Sequence, residues 1–259
     1  MFRRLPPFGG DQRAVAEIVN GIMDGKTNNT GTVTLATGNA TTTTITDARI
    51  GIDSVILLAP NSAAAFADTA PYGAFQSLVD QAIASANTAY AMTLDTTDYT
   101  NGVYLSNSSR MNVRNAGVYN LQWSGQFQNT DSSLHDVSVW LRKNGTDVVG
   151  STGFISVPNS HGGVNGHNIV GWNYYIELAS NDYIEIYWSA TDTQISLQFY
   201  PTQTGPTRPS TASVIATMQY VAPNAMDNVY ISSQTNGSAV ITHFANSTAS
   251  KTYKYVIVG

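Results

Sequence analysis

The chain contains no cysteine among its 259 residues. It therefore cannot form a disulfide framework, use a thiol as a nucleophile, or bind zinc or an iron–sulfur cluster through thiolates. An extracellular domain of this composition has to be stabilised by its hydrophobic core and by contacts between subunits. The absence of cysteine does not by itself identify a cellular compartment.

Charge is also scarce, since 12 Lys and Arg together with 17 Asp and Glu make up only 11% of the residues. An ordinary soluble domain has about 25% charged residues, so Thr, Ser, Asn and Gln must supply the polar surface here. The hydrophobic fraction of 42% is close to normal and is enough to build a core. The net charge of −5 argues against nucleic acid as a partner, because proteins that bind it usually carry clustered Lys and Arg.

Long apolar runs are missing as well. No segment approaches the ~20 residues that a membrane-spanning helix needs, and the longest apolar run lies near residues 55–59. The first residues lack the apolar core of a signal peptide. We therefore expect no membrane insertion and synthesis in a cytoplasm.

A helical pattern is found in one short segment near the start of the chain. Asp11 can cap a helix that ends at Asp24 and Gly25. The apolar residues of this segment share one helical face: Val15, Ile18, Val19 and Ile22.

The segment before this helix is an arm with two adjacent prolines, which preclude a helix and favour an extended chain. One interpretation of the arm is a frayed chain end. The other is a docking peptide, because apolar and cationic side chains of this kind are costly to leave in water without a partner. The anchor residues predicted by the second interpretation are Phe2, Arg3, Arg4, Leu5, Pro6, Pro7 and Phe8.

The rest of the chain is predicted to be β-structure, because its segments are β-branched or alternate in polarity and are bounded by Gly, Asn and Pro. A composition shift just before residue 74 marks a connection, and a regular series of strands follows over residues 74–222. The strands of residues 228–259 are too few for an independent domain, so we expect them to pair with residues 31–58. The sequence thus predicts an all-β fold. In it, residues 74–222 are inserted into a smaller discontinuous β domain, residues 26–73 plus 223–259, which the arm and helix of residues 1–25 precede.

The strongest predicted hairpin joins an alternating strand at residues 172–178 to a second one at residues 184–188, through a turn at residues 180–182. The intervening positions carry tyrosines more often than Lys or Glu, so both faces are expected to be buried or half-buried. One face fits a sandwich core and the other fits a subunit interface. The predicted interface residues are Tyr175, Tyr183 and Tyr187.

Candidate catalytic and metal-binding residues are few. His161 and His167 flank a glycine loop, a spacing that is compatible with a metal pair but not diagnostic of one. Glu177 and Glu185 flank the predicted hairpin turn, where about 5 Å would separate opposed residues, as a retaining glycosidase needs. Such pairs are more often solvated or bound to Arg, and nucleophile elbows, Walker motifs and zincin signatures are absent. We expect no enzyme activity, no cofactor and no resident metal.

Two strand motifs resemble those of a known module. Residues 115–121 are similar to the strand "pG-x-Y-x-F", and residues 176–186 to the segment "L-x-x-G-D-x-V", of a widespread jelly roll. This jelly roll is shared by tumour necrosis factor and the globular heads of complement and collagen-like proteins. Asn181 stands where that pattern has Gly, and Asn also tolerates a positive φ. The resemblance covers residues 74–222, and it implies a jelly-roll sandwich and a homotrimer.

Other segments resemble structural proteins of tailed phages. Residues 140–146 and the loop 158–162 are similar to domains in structural proteins of marine tailed phages. The flanks resemble pieces that are contiguous in small virion-associated proteins of short-tailed phages, whereas here the jelly roll interrupts them. These flanking pieces are residues 4–11, 22–26, 31–35, 47–50 and 255–259. The resemblance implies a virion protein, made in the host bacterial cytoplasm, whose arm holds it to other virion proteins.

Three functions remain open at this point. The leading one is a tail-associated fibre or spike component that presents a trimeric jelly roll to the host surface, and the second is a head fibre or decoration protein without a specific ligand. A glycan-degrading enzyme is the least favoured. Receptor contact, with a host glycan as the ligand, is assigned to the loops 158–167 and 200–210, although the alternative is that these loops only connect strands. The receptor candidates are His161, Asn165, His167, Tyr200 and Gln203.

Overall fold

The computed structural model describes residues 11–24, 28–66, 69–221 and 229–259. The predicted arm, residues 2–8, lies outside them. The described residues divide into two compact units. We call residues 69–221 the inserted unit, and the residues described on either side of it the flanking unit.

The helices and strands of the two units are numbered in chain order. The flanking unit begins with α1 Gln12–Met23, β1 Thr30–Thr34, β2 Ala40–Thr46, β3 Val55–Pro60 and α2 Ala63–Phe66. The inserted unit contains β4 Tyr72–Ser77, β5 Gln81–Ala82, β6 Tyr90–Ala91, β7 Thr96–Asn101, β8 Val103–Ser106, β9 Arg110–Val113, β10 Gly117–Asn129, β11 His135–Lys143, β12 Thr146–Asp147, β13 Gly153–Val157, β14 Gly166–Leu178, β15 Tyr183–Ala190, β16 Ile195–Leu197, β17 Gln203–Thr204, β18 Thr207–Arg208 and β19 Val214–Tyr220. The flanking unit resumes with β20 Val229–Thr235, β21 Ser238–Asn246 and β22 Thr252–Val258.

Helix α1 begins where the sequence predicts it, directly after the cap residue Asp11. The Asp11 carboxylate accepts a hydrogen bond from the Ala14 backbone N–H at 2.6 Å, which satisfies a donor that has no partner inside the helix. Three apolar side chains of the helix are exposed, since Val15, Val19 and Ile22 are 40%, 50% and 57% exposed, whereas Ala14 is buried and Ile18 is half-buried. We call these three residues the apolar stripe.

Two three-stranded antiparallel sheets form the flanking unit, and the central strand of each one follows the insertion. β22 lies between β1 and β3, and β21 lies between β2 and β20. The segments before and after the inserted unit therefore share one fold. Their common core consists of Leu35, Ile45, Ile50, Ala65, Ala239, Ile241, Tyr253, Tyr255 and Ile257.

A polar cluster fixes one side of this unit. The Tyr255 hydroxyl donates a hydrogen bond to Asp47 Oδ2 at 2.8 Å, and the Arg49 guanidinium bonds the same carboxylate. The hydrogen bonds from Arg49 hold the pKa of Asp47 well below its usual range. Gly31 lies against the Tyr255 ring, where a Cβ atom would be only 2.1 Å from Tyr255 Cζ. The ring cannot yield easily, because it is buried and its hydroxyl is held by the carboxylate.

The inserted unit is a jelly roll. Eight of its strands form two four-stranded antiparallel sheets: the first has the order β4-β19-β10-β14, and the second has the order β9-β15-β11-β13. Apart from the β11–β13 connection, successive strands of these eight alternate between the two sheets, which is the double Greek-key pattern of a jelly roll. The short strands add to these two sheets, except β17 and β18, which pair with each other.

The core of the inserted unit lies between the two sheets. Large residues at every second position of β10 point inward, as the alternation in the sequence predicts. The first sheet contributes Phe75, Tyr119, Leu121, Phe127, Leu178 and Met218, all of them buried. The second sheet contributes Val113, Val139, Leu141, Ile184, Ile186 and Trp188.

The predicted hairpin between β14 and β15 is wrong. β14 pairs with β10 along its whole length, whereas β15 pairs with β11 on one side and β9 on the other. The turn at residues 179–182 therefore crosses from the first sheet to the second. An arch of this kind and a hairpin give the same alternating sequence, because in both cases each strand presents every second side chain to the core.

The predicted fold class is confirmed: the protein is all-β, with a jelly-roll unit inserted into a smaller β unit that α1 precedes. The inserted unit begins slightly before the predicted boundary at residue 74, because β4 starts at Tyr72. Within the described part of the chain, neither helix has the length and apolar character needed to cross a membrane.

We predict that Gly31→Ala destabilises the flanking unit by about 1–3 kcal/mol, the usual cost of inserting a methyl group into a packed site. Urea unfolding followed by far-UV circular dichroism should show this loss. All four Trp residues lie in the inserted unit, so Trp fluorescence reports that unit and should be unchanged. Gly21→Ala is the control, because its Cβ meets nothing within 4 Å and Ala favours a helix. Equal unfolding curves for the two variants would contradict the prediction.

Candidate functional site

Three connecting segments of the inserted unit meet at one end of the jelly roll. They are the loops 130–134 and 158–165 and the segment 191–213, which includes the short strands β16, β17 and β18, and we call them together the loop end. The Ser160 N–H donates to the Asp131 carbonyl at 2.7 Å, and the Thr130 N–H donates to the Gln194 carbonyl at 3.2 Å. Backbone hydrogen bonds therefore join each loop to a neighbouring one.

Two of the five receptor candidates meet at the loop end. The rings of His167 and Tyr200 lie edge to face, with centroids 6.0 Å apart. The Tyr200 hydroxyl accepts a hydrogen bond from Gln128 Nε2 at 2.5 Å and lies 3.5 Å from His167 Nδ1. Burial raises the pKa of Tyr200 above its usual value. Gln128 was not among the predicted residues, and it stands opposite His167 in the pairing of β10 with β14.

The other three candidates do not join this pair. The backbone of His161 bonds to that of Val164 inside its own loop, and Asn165 is exposed. Gln203 Nε2 donates to the Pro201 carbonyl at 2.9 Å within the β17–β18 hairpin segment. Among the described residues, no hydrogen bond links any of these three side chains to His167 or Tyr200.

The three predicted interface tyrosines do not share a face, so that prediction is corrected. Tyr175 lies on β14 in the first sheet and is 61% exposed. Tyr183 and Tyr187 lie on β15 in the second sheet. The reason is the arch at residues 179–182, which carries the chain to the other side of the sandwich.

The outer face of the second sheet is covered by its own side chains. The Arg142 guanidinium lies 3.9 Å from the centroid of the Tyr187 ring, and Arg142 Nε donates to Asp147 Oδ1 at 2.5 Å. Trp140 Nε1 donates to the same oxygen at 2.7 Å. These hydrogen bonds, led by the one from Arg142, lower the pKa of Asp147. Arg110 lies in the same way over Tyr183, at 4.3 Å from the ring centroid.

Glu177 and Glu185 lie on different sheets, so the prediction that they form an opposed pair with the spacing of a glycosidase is wrong. Glu177 is exposed on β14. Glu185 is buried on β15, where it accepts a hydrogen bond from Ser109 Oγ at 2.6 Å and pairs with Arg110 Nε at 3.5 Å. The partners of Glu185 are therefore structural: Arg110, the first residue of β9, and Ser109, the residue before it.

The outer face of the first sheet is different, because its central positions are uncharged and uncovered. A groove runs over it, lined by residues of β4, β10 and β19. The exposed side chains around the groove include Tyr99, Val118, Ile169, Tyr175 and Ile215. We call this surface the neutral face. Its groove is lined by Tyr72, Gly73, Ala74, Asn120, Gln122, Thr217, Met218 and Gln219.

Comparison with known proteins does not identify this chain. No protein-family model matches it, and no curated protein matches it. The structure itself offers three candidate functional surfaces. They are the apolar stripe of α1, the neutral face of the first sheet, and the His167–Tyr200 pair at the loop end.

Proposed function

We propose that the protein is a structural component of a tailed-phage virion that presents a trimeric jelly roll, as part of a tail fibre or spike, to the host surface. The observation that carries this proposal is the apolar stripe of α1. An amphipathic helix normally buries its apolar face, and here three residues of that face, Val15, Val19 and Ile22, are exposed. A partner that covers it would hold the protein in a larger assembly.

The arm strengthens this interpretation of the stripe. Residues 2–8 precede α1 directly and add apolar and arginine side chains to the same end of the chain. Prolines in such an arm reduce the entropy that is lost on docking, and arginines pair well with carboxylates of a partner. Arm and stripe together make a continuous segment that is suited to anchoring in a particle.

A trimer built through the neutral face is part of this proposal. Subunit interfaces are depleted of charge and enriched in aromatic side chains at their centre. The neutral face meets both conditions, whereas the tyrosines of the second sheet are already covered by arginines. We therefore assign Tyr175 to the trimer interface and remove Tyr183 and Tyr187 from it.

Host attachment is assigned to the loop end. Aromatic rings stack against the apolar faces of sugars, and the amide of Gln128 with the imidazole of His167 offers hydrogen bonds beside the Tyr200 ring. A glycan of the host surface is the ligand that this chemistry fits. A rigid sandwich with loops at one end is a common way to build a binding surface.

One observation favours the second candidate, a head fibre or decoration protein without a specific ligand. Only His167 and Tyr200 among the receptor candidates come together, so the loop end does not gather all the expected contacts. A decoration protein needs the anchor and the trimer but no receptor contact.

We expect the triple variant Val15→Ser/Val19→Ser/Ile22→Ser to fold and yet to be lost from virions, because its helix no longer offers an apolar face. Occupancy in virions purified from infected cells is the measurement. The matched control is Arg13→Ser/Glu17→Ser/Asn20→Ser, which puts three serines on the opposite helical face. Normal occupancy of the first variant would refute the anchor.

We expect Tyr175→Asp to dissociate the trimer, because it places a charge in each interface. Tyr187→Asp should leave the trimer intact, since Tyr187 lies on the other sheet beneath Arg142. Native mass spectrometry of the two variants and the wild type distinguishes these states. A wild type that is monomeric, or a trimer lost only in Tyr187→Asp, would contradict the assignment.

We expect His167→Ala and Tyr200→Ala each to lower the affinity of particles for host cells about tenfold, the effect of losing ~1.4 kcal/mol of stacking and hydrogen bonding. His161→Ala is the control, because it is a histidine of the same loop end outside the pair. Adsorption to host cells is measured with trimeric variants only. Unchanged adsorption would favour the head-decoration function.

A further inference from the structure

Three side chains that can ligate a metal converge at the loop end. Asp131 comes from the loop after β10, His135 is the first residue of β11, and Asp192 follows β15. His135 Nε2 lies 2.7 Å from Asp131 Oδ2 and 3.9 Å from Asp192 Oδ2. One ligating atom from each residue lies within 4.8 Å of the other two, and no other such group of three occurs in the described part of the chain.

The separations suit a small tetrahedral ion. Ligand atoms at the usual zinc distances of about 2.0–2.2 Å are separated by about 3.3–3.5 Å from one another. The His135–Asp131 distance has to open slightly to reach this value, and the His135–Asp192 distance has to close slightly. The Asp131 and Asp192 oxygens lie within 4.8 Å of each other, and rotation of the carboxylate groups, whose terminal torsions are broad, can change all three separations.

The backbone holds these side chains near one another without help from an ion. The Thr191 N–H donates to the Asp136 carbonyl at 2.9 Å, and the Asp136 N–H donates to Thr191 Oγ1 at 3.0 Å. These bonds join the start of β11 to the turn that carries Asp192. An ion would therefore bind to a largely formed site and would not have to assemble it.

The exposure of the three side chains leaves access for an ion. The side chains of His135, Asp131 and Asp192 are 15%, 24% and 36% exposed. They are shielded enough to keep their positions and open enough to leave a fourth coordination position for water. Three protein ligands and one water are a common coordination of zinc.

We propose that Asp131, His135 and Asp192 bind one divalent transition-metal ion, with Zn²⁺ as the preferred ion. An imidazole nitrogen combined with two carboxylate oxygens suits zinc better than Mg²⁺ or Ca²⁺, which prefer oxygen ligands alone. The site does not depend on the virion function, since it rests only on the loop end of the inserted unit.

The ion stabilises the loop end by adding a link between two segments that are otherwise connected by hydrogen bonds between Thr130 and Gln194. Asp131 belongs to the loop 130–134 and Asp192 to the segment 191–213. Through the bond from Ser160 to the Asp131 carbonyl, the ion also restrains the loop 158–165. His135 coordinates the ion through the lone pair of Nε2.

The test uses the whole chain after removal of metals with a chelator. Calorimetric titration with ZnCl₂ and native mass spectrometry should show one Zn²⁺ per chain, with weaker or no binding of Mg²⁺ and Ca²⁺. A hundredfold excess of Zn²⁺ over its Kd should raise the Tm of the inserted unit by about 5–10 °C.

Asp192→Asn is the decisive variant, because Asn keeps the Oδ1 acceptor of the Gln194 N–H and removes only the charged ligand. It should weaken Zn²⁺ binding at least tenfold and, at the same Zn²⁺ concentration, reduce the Tm shift by about half or more, while keeping the circular dichroism of the wild type. The control His161→Gln/His167→Gln removes the two other histidines of the loop end and should bind Zn²⁺ as the wild type does. Zn²⁺ binding that survives Asp192→Asn, disappears in the control, or is absent from the wild type overturns the proposal.

Discussion

Two strands that follow the insertion hold the flanking unit together. β22 is the central strand of one sheet and β21 that of the other, so both of these sheets depend on backbone hydrogen bonds to them. Their inward side chains Ile241, Tyr253 and Ile257 also supply much of the common core. Without β21 and β22, the strands β1, β2 and β3 have no partners among the described elements and little surface to bury.

Three short segments of the flanks that are far apart in the sequence meet at β22. Residues 31–35, 47–50 and 255–259 are far apart in the chain, yet Gly31 and Asp47 both contact Tyr255. Gly31 gives room for the Tyr255 ring, and Asp47 fixes its hydroxyl. A sequence pattern in three pieces is thus one cluster in space, which the insertion of a jelly roll does not disturb.

The sequence predicts what is local in this structure and fails where a partner has to be chosen. The cap at Asp11 and the inward alternation of β10 follow from backbone preferences and from the pleat of a strand. The partners of β14 and β15 do not, because alternation shows only that one face is buried and not which strand lies beside it. The misplaced hairpin had two consequences: it put tyrosines from two sheets on one surface, and it set Glu177 opposite Glu185.

The loop end shows the same limit. The composition of their loops predicts His167 and Tyr200 as site residues. Gln128 lies beside them only because of the register of β10 with β14. Asp131 and His135 are close to each other in the sequence. Asp192 joins them only because the start of β11 lies beside the end of β15. Residues brought together by sheet register leave no signal in a single sequence.

The place of the insertion also determines the order in which the protein can fold during synthesis. A ribosome completes the jelly roll before it makes β21 and β22, so the inserted unit can fold while the flanking unit still lacks its central strands. A chain released early would keep β1, β2 and β3 as unpaired edges, which invite aggregation and proteolysis. Synthesis of β21 and β22 therefore decides whether β1, β2 and β3 are paired.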